Sequence, residues 1–358
     1  MRHIGIIGGG LAGLTVAYRR ERLGDRVSLF EASPRLGGQL QSERAGAFLI
    51  EHGAEGFVAG SPALAELSRS LGIESRVIDQ EVSVSCSFDG SQLLRLAPGE
   101  AGRRLGFQVG ERAFGKGIQS FLGGMDELAH TLHARLGAGA RCETAAPVAT
   151  LRRDGERWSI IRARGAPTLV DAVVVAIPAR SAALLLADEF GAAAAELGES
   201  EASSSVTVSL AFPRDAVAHP LDATGFVVAE PAQAEGFRAC TFVSSKLRGR
   251  APVEQALLRL FFRPSDEELQ RLDDADWAAR ALRSARRALE LRQAPEHAWV
   301  SRWARALPVF DAAHRARVAR LEEQLRDSGV SLAGAAFHAP GIDGAVRSAE
   351  ATALALNH

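Results

Sequence analysis

Six residues near the N-terminus, Gly8-Gly9-Gly10-Leu11-Ala12-Gly13, and an acid 18 residues further on, Glu31, have the types and spacing of a dinucleotide site. Gly8 makes a tight turn, Gly10 lets backbone approach a pyrophosphate, and Gly13 lets a helix lie close on a strand. The free N–H groups and positive dipole end of a helix starting there attract phosphate oxygens. Glu31 would accept hydrogen bonds from ribose hydroxyls, and its charge disfavours a 2′-phosphate and so argues against NADP. His52 and His338 could act as bases. Arg95, together with Arg103, Arg104 and Arg112, forms a basic cluster that could pair with carboxylates. Lys116 and Lys246 are the only lysines, and Tyr18 is the only tyrosine. The three cysteines, Cys86, Cys142 and Cys240, are far apart with no CxxC. Neither a disulfide scaffold nor a metal site is expected from them.

The glycine motif works only between a strand and a helix, and the flanking pattern supplies both. Residues 3–7 are an apolar run fit for a buried parallel strand, 11–23 read as a helix, and 27–30 make a second strand. Helices are expected at 61–71, 124–136, 274–291, 312–325 and 342–356. A hairpin is expected around Asp89-Gly90-Ser91, and strands at 148–151, 158–162, 173–177, 299–303 and 330–333. Alternation of Val206, Val208, Leu210 and Phe212 puts these four on one face of a strand. Antiparallel candidates follow at 225–229, 239–244 and 257–262. The 358 residues, 47% hydrophobic and 24% charged, suit two globular domains. A net charge of -1 gives no pull toward nucleic acid or anionic membrane. The longest clean apolar runs fall far short of a transmembrane helix. Glycines interrupt the N-terminal apolar stretch, so no signal peptide is expected and a cytoplasmic location is.

The motif continues as Glu31-Ala32-Ser33-Pro34-Arg35-Leu36-Gly37-Gly38. This Glu-x-x-x-Arg-x-Gly-Gly extension resembles that of FAD proteins in the amine oxidase and glutathione reductase-like group. A second glycine turn would lie under the extended dinucleotide, with Arg35 contributing charge or contacts near phosphates or flavin. Further segments narrow the resemblance. Ile50-Glu51-His52-Gly53-Ala54-Glu55-Gly56-Phe57 is similar to the stretch where backbone approaches the flavin ring. Gly123-Gly124-Met125 and the strand 173–177 with Pro178 also match. The segments Trp303 to Phe310, Phe242 to Pro252, and Leu332-Ala333-Gly334 to Gly341-Ile342 resemble protoporphyrinogen oxidases within the flavin-containing amine oxidase superfamily. That resemblance spans nearly the whole chain. It implies noncovalent FAD bound by Gly8, Gly10, Leu11, Ala12, Gly13, Glu31, Ala32, Arg35, Gly37, Gly38, Gly53, Ala54, Val148, Ala176, Gly334 and Ile342. It also implies a reduced tetrapyrrole such as a porphyrinogen as substrate and O₂ as acceptor.

The implied fold is α/β: a glutathione reductase-type Rossmann-like FAD domain, 1–80, 113–195 and 295–358, with an interleaved α+β substrate domain, 81–112 and 196–294, built on an antiparallel sheet. The departures matter as much. The family's large helical insert, which walls the substrate pocket and associates with membranes, is nearly absent between Leu96 and Phe121. The family's Gly-Asn and Ser-Gly become Gly334-Ala335 and Ser348-Ala349, and the methyl of Ala349 is expected to crowd the flavin. Three alternatives stay open. One is an amine oxidase, which a single tyrosine argues against because that chemistry uses an aromatic cage, leaving Phe310 or Phe337 as substitutes. The others are an NAD(P)H-related oxidoreductase and a non-catalytic flavoprotein or partner subunit. A homo-oligomer is compatible with all of them.

Overall fold

A computed structural model describes residues 1–106 and 116–356. The chain opens with β1 (His3–Ile7), α1 (Leu11–Arg22) and β2 (Arg26–Phe30), followed by the hairpin β3 (Ser42–Ala45) and β4 (Phe48–Glu51). Then come β5 (Phe57–Val58), α2 (Pro62–Leu71), β6 (Val77–Asp79), β7 (Cys86–Phe88), β8 (Leu93–Arg95) and α3 (Glu100–Arg104). The middle holds β9 (Ile118–Phe121), α4 (Asp126–Ala134), β10 (Ala140–Glu143), β11 (Val148–Asp154), β12 (Arg157–Arg162), β13 (Thr168–Val170), β14 (Ala172–Val175) and α5 (Ala179–Leu197). The last part runs β15 (Ala202–Pro213), β16 (Gly225–Val228), β17 (Phe237–Phe242), α6 (Val243–Lys246), β18 (Gln255–Phe262), α7 (Asp266–Arg271) and α8 (Asp274–Ala288). It closes with β19 (His297–Pro308), α9 (Ala312–Leu325), β20 (Val330–Leu332) and α10 (Gly341–Ala355).

Two sheets organise these elements. The first is parallel, in the order β10-β2-β1-β14-β20. Its strands are apolar on both faces because both are covered. One face packs Ile4, Ile6 and Val174 against α1, α2, α4 and α10; the other packs Val173 and Val175 against the meander β11-β12-β13 and helices α5 and α9. The second sheet has seven strands, β19-β15-β18-β17-β16-β7-β8. Val206, Val208, Leu210 and Phe212 lie on its core face as their alternation requires, under Trp277, Ala281 and Ala285 of α8. Its opposite face receives the β3-β4 hairpin: Phe48 and Ile50 pack on Ala211, Val243 and Leu257.

Two features differ from expectation. The second sheet is mixed, since β7 runs parallel to β16; β7 arrives from a distant part of the chain, without the turn that makes neighbours antiparallel. The boundary at 295 also falls on the wrong side of β19, which pairs with β15 from Ala202↔Pro308 to Ala211↔His297. Charged residues along β19 hid its length, because this strand lies at an edge of the sheet and half of it faces solvent. No helix among the described residues is long and apolar enough to cross a membrane.

Trp277 is fully buried against Phe262 at a ring separation of 5.6 Å, and it anchors α8 to the sheet. Trp277→Ala is expected to cost about 3–5 kcal/mol, read as a lower denaturant midpoint at unchanged slope.

Candidate functional site

The site grows from the first turn. Gly8 sits at φ +109°, and a Cβ there would lie 2.3 Å from the Ala176 carbonyl oxygen at the end of β14. A Cβ on Gly13 would lie 1.9 Å from the Gly8 carbonyl oxygen, so α1 rests directly on the turn. Gly10 is different: its Cβ would meet only the Gly38 Cα, at 3.8 Å, leaving room beside it. Gly10 caps α1 with no side-chain hydrogen bond, and the first turn, with Leu11, Ala12 and Gly13, holds no acid. Its N–H groups therefore stay available to an anion.

Glu31, past the end of β2, accepts a hydrogen bond from Gly9 N at 2.7 Å on one carboxylate oxygen and from Ser33 N at 2.8 Å on the other. Each oxygen keeps a lone pair for a ribose hydroxyl. The chain before β11 runs alongside, since Ala146 N donates to Glu31 O and Ala145 N to Ser33 O. Val148, half-buried, packs against the core that holds Phe30, and Ala176 N donates to Ile7 O at 2.8 Å. The second glycine pair folds onto the first: Gly37 N donates to Gly9 O at 2.8 Å. An uncapped helix start, an open position at Gly10 and a carboxylate at the strand end fit the pyrophosphate and ribose of a dinucleotide.

Arg35 is tied into the second glycine turn. It donates to the carbonyl oxygens of Leu36 at 3.2 Å, Leu40 at 3.1 Å and Gly38, and to Gln41 Oε1 at 3.1 Å. Its guanidinium is spent on shaping the Gly37–Gly38 loop.

The 52–54 loop lies against the chain after Gly38. Ala54 N donates to Gln39 O at 3.2 Å, and a Cβ on Gly53 would lie 1.8 Å from that same oxygen. The C-terminal motif closes on the other side: a Cβ on Gly334 would lie 3.1 Å from the Ala12 Cβ, and half-buried Ile342 packs against the α1 core. The fold thus brings Gly8–Gly13, Gly37–Gly38, Gly53–Ala54, Gly334 and Ile342 into consecutive contact. Ala349 does not crowd this space. It is fully buried in the core shared by α1 and α10, so its methyl packs helix on helix.

The proposed bases and the arginine cluster are not drawn together. His52 hydrogen-bonds with Ser301 Oγ at 2.8 Å and Glu43 Oε2 at 2.7 Å. His338 does likewise with Ser348 Oγ at 2.6 Å and Glu322 Oε1 at 2.7 Å. Both ring nitrogens of each are engaged, which suits structural bridges and leaves no nitrogen free for a substrate proton. Arg95 is exposed on the edge strand β8 and pairs with Asp222 at 3.1 Å. Arg104 pairs with Glu100 at 2.5 Å and donates to Ser87 Oγ at 2.8 Å. Arg112 lies outside the described residues.

A buried charge cluster that the motifs do not signal lies beneath the 52–54 loop. Glu51 and Arg250 are 4% and 0% exposed, with Glu51 Oε1 and Arg250 Nη2 3.4 Å apart. Arg259 is 2% exposed, and Glu55 pairs with Lys246 at 3.4 Å. The readable signal was Arg259 itself, a charge in the middle of an apolar strand. Desolvation lifts the Glu51 carboxyl to about 7, against the opposing pull of Arg250 and of hydrogen bonds from Ser42 Oγ and Met125 N. Because the folded pKa is raised above the unfolded one, the folded state binds the extra proton. Stability from this group is full below about pH 4.5 and is lost as pH rises toward 7. Glu51→Gln is expected to match wild type near pH 5 and to melt at higher temperature at pH 8, checked by thermal unfolding across that range.

Comparison with known proteins agrees with this geometry. Residues 83–357 match the family model described as flavin containing amine oxidoreductase, and residues 6–81 match an NAD(P)-binding Rossmann-like domain. The coproporphyrinogen III oxidase of Bacillus subtilis (strain 168) is 23% identical, with 95% of each chain covered. That of Propionibacterium freudenreichii subsp. freudenreichii is 24% identical over 98% of this chain and 90% of the relative. The Bacillus alignment runs over 448 positions against 358 residues here, so the relative carries internal stretches that this chain lacks. A crystal structure from Exiguobacterium sp. 255-15, provisionally named a protoporphyrinogen oxidase, superposes with a TM-score of 0.85 at 21% identity, covering 99% of this chain and 98% of that one. With a family match over well over half of its length, laid on a glycine cradle suited to a dinucleotide, the chain belongs to the flavin containing amine oxidoreductase family and is a flavin-dependent oxidoreductase.

Proposed function

We propose that this protein is an oxidase that holds FAD noncovalently and dehydrogenates a porphyrinogen, with O₂ as the final acceptor. The observation that carries the substrate class is the end-to-end alignment with two bacterial coproporphyrinogen III oxidases. The amine oxidase alternative is weakened by the aromatic residues. Tyr18 is buried in α1, its hydroxyl donating to Ser70 O at 2.9 Å. Phe310 and Phe337 are buried and pack on His314 and His338.

In this reading the α1 N-terminus with Gly10, Leu11, Ala12 and Gly13 binds the pyrophosphate, and Glu31 the ribose. Gly53, Ala54, Gly334 and Ile342 border the flavin ring. When bound, FAD supplies a two-electron acceptor for hydride from the reduced bridging carbons of the tetrapyrrole. The parallel sheet with its meander is the cofactor unit. The seven-stranded sheet is the substrate unit, and its non-core face, with Thr207, Ser209 and Arg259, looks toward the 52–54 loop. Noncovalent binding is supported by the thiols. Burial pushes Cys142 up to about 11 and raises Cys86 and Cys240 as well, so none is a ready nucleophile. All three cysteines are free, in keeping with the proposed cytoplasmic location.

The purified protein should be yellow or take up added FAD, bleach anaerobically with a porphyrinogen, and recover its colour in air. Bleaching with amines or NAD(P)H, but never with coproporphyrinogen or protoporphyrinogen, would move the assignment to another substrate. A protein that takes up no FAD would reject the reading altogether. Gly13→Ala, whose methyl would collide with the Gly8 carbonyl, should weaken FAD binding by at least about 10-fold, measured by fluorescence titration.

A further inference from the structure

The 52–54 loop is gripped from the sheet side. Arg259 Nη2, on β18, donates to Gly53 O at 2.6 Å and His52 O at 3.3 Å, and also to Thr207 Oγ1 of β15 at 3.3 Å. Trp303 Nε1, on β19, donates to His52 O at 2.7 Å. Two strands of the seven-stranded sheet thus converge on two consecutive carbonyls of one loop, while Thr207 of a third strand steadies the Arg259 guanidinium. Every peptide here is trans. The N–H of Gly53 therefore points opposite to the His52 carbonyl, away from the sheet.

Arg259 does more than fill hydrogen bonds. Its Nε and Nη1 atoms are buried with no partner, and its guanidinium lies over the Phe261 ring at 5.0 Å. Its carboxylate neighbours are shared with other cations: Glu55 and Glu51 both attract it, but Glu55 also pairs with Lys246 and Glu51 with Arg250. Three cations thus face two carboxylates, leaving a positive charge buried directly behind the loop. A desolvated charge acts over longer range than one in water.

We propose that Arg259 is a positioning residue for the flavin: it fixes the 52–54 backbone with the Gly53 N–H aimed away from the sheet and holds a positive potential behind it. Trp303 shares the mechanical part. The inference rests on the reading that this loop borders the flavin, whose reduced form carries added negative charge. The substrate sheet thereby sets both the affinity for the cofactor and its readiness to accept electrons.

The test uses the full-length chain loaded with FAD. Arg259→Met should weaken FAD binding by about 10-fold and shift the reduction equilibrium against a reference dye about 10-fold toward oxidised flavin. Arg259→Lys, which keeps the charge, should recover most of the reduction equilibrium and less of the affinity. Trp303→Phe removes one donor, keeps the charge, and should weaken binding about threefold with the equilibrium little changed. That variant also keeps the proposal testable if Arg259→Met fails to fold. Variants that bind and reduce FAD within twofold of wild type, even with a lower melting temperature, would overturn the inference while leaving the functional reading intact. A wild-type chain that takes up no FAD would overturn both.

Discussion

The contact between Gly13 and the Gly8 carbonyl oxygen is the constraint on which the rest depends. A side chain at either position would push α1 off β1, and with it the uncapped helix end suited to an anion. Everything else in the cofactor unit refers to this contact. Gly37–Gly38 folds onto Gly9–Gly10, Gly334 presses on Ala12, and α10 packs along α1 through Ala345, Ala349 and Ala353. Small residues recur because backbone must approach backbone, and a methylene cannot be accommodated by local relaxation there.

The second constraint is electrostatic. Burying Glu51, Arg250, Arg259, Glu55 and Lys246 between the β3-β4 hairpin and the seven-stranded sheet costs desolvation that their mutual attraction offsets only in part. The Glu51 carboxyl records the imbalance in its raised pKa, and the guanidiniums record it in N–H groups without partners. Apolar replacement of buried ion pairs is often neutral or stabilising, so stability alone does not account for this cluster. Charge on the sheet side orients backbone dipoles on the cofactor side. The two units are therefore electrically coupled as well as packed.

The shortness of the chain takes on a definite meaning in this framework. Relatives aligned from end to end carry internal stretches that are missing here, yet the parallel sheet, the seven-stranded sheet and the hairpin between them are present. Those parts include the glycine cradle suited to a dinucleotide and the charged interface between the hairpin and the second sheet.

The glycine spacing, Glu31 and the strand–helix–strand pattern were legible in the chain because they act locally: a turn, a helix end and a strand end separated by few residues. The alternation in β15 gave the core face of the second sheet for the same reason. His52, His338 and Arg95 have reactive side chains, but folding gives each of them hydrogen-bond or ion-pair partners. The mixed sheet, the full length of β19 and the Glu51–Arg250–Arg259 cluster depend on segments far apart in the chain coming together. Sequence alone determined the dinucleotide cradle, whose requirements are steric and short-range. Tertiary structure decided which charges are buried together, since desolvation and pairing depend on which distant surfaces close over them.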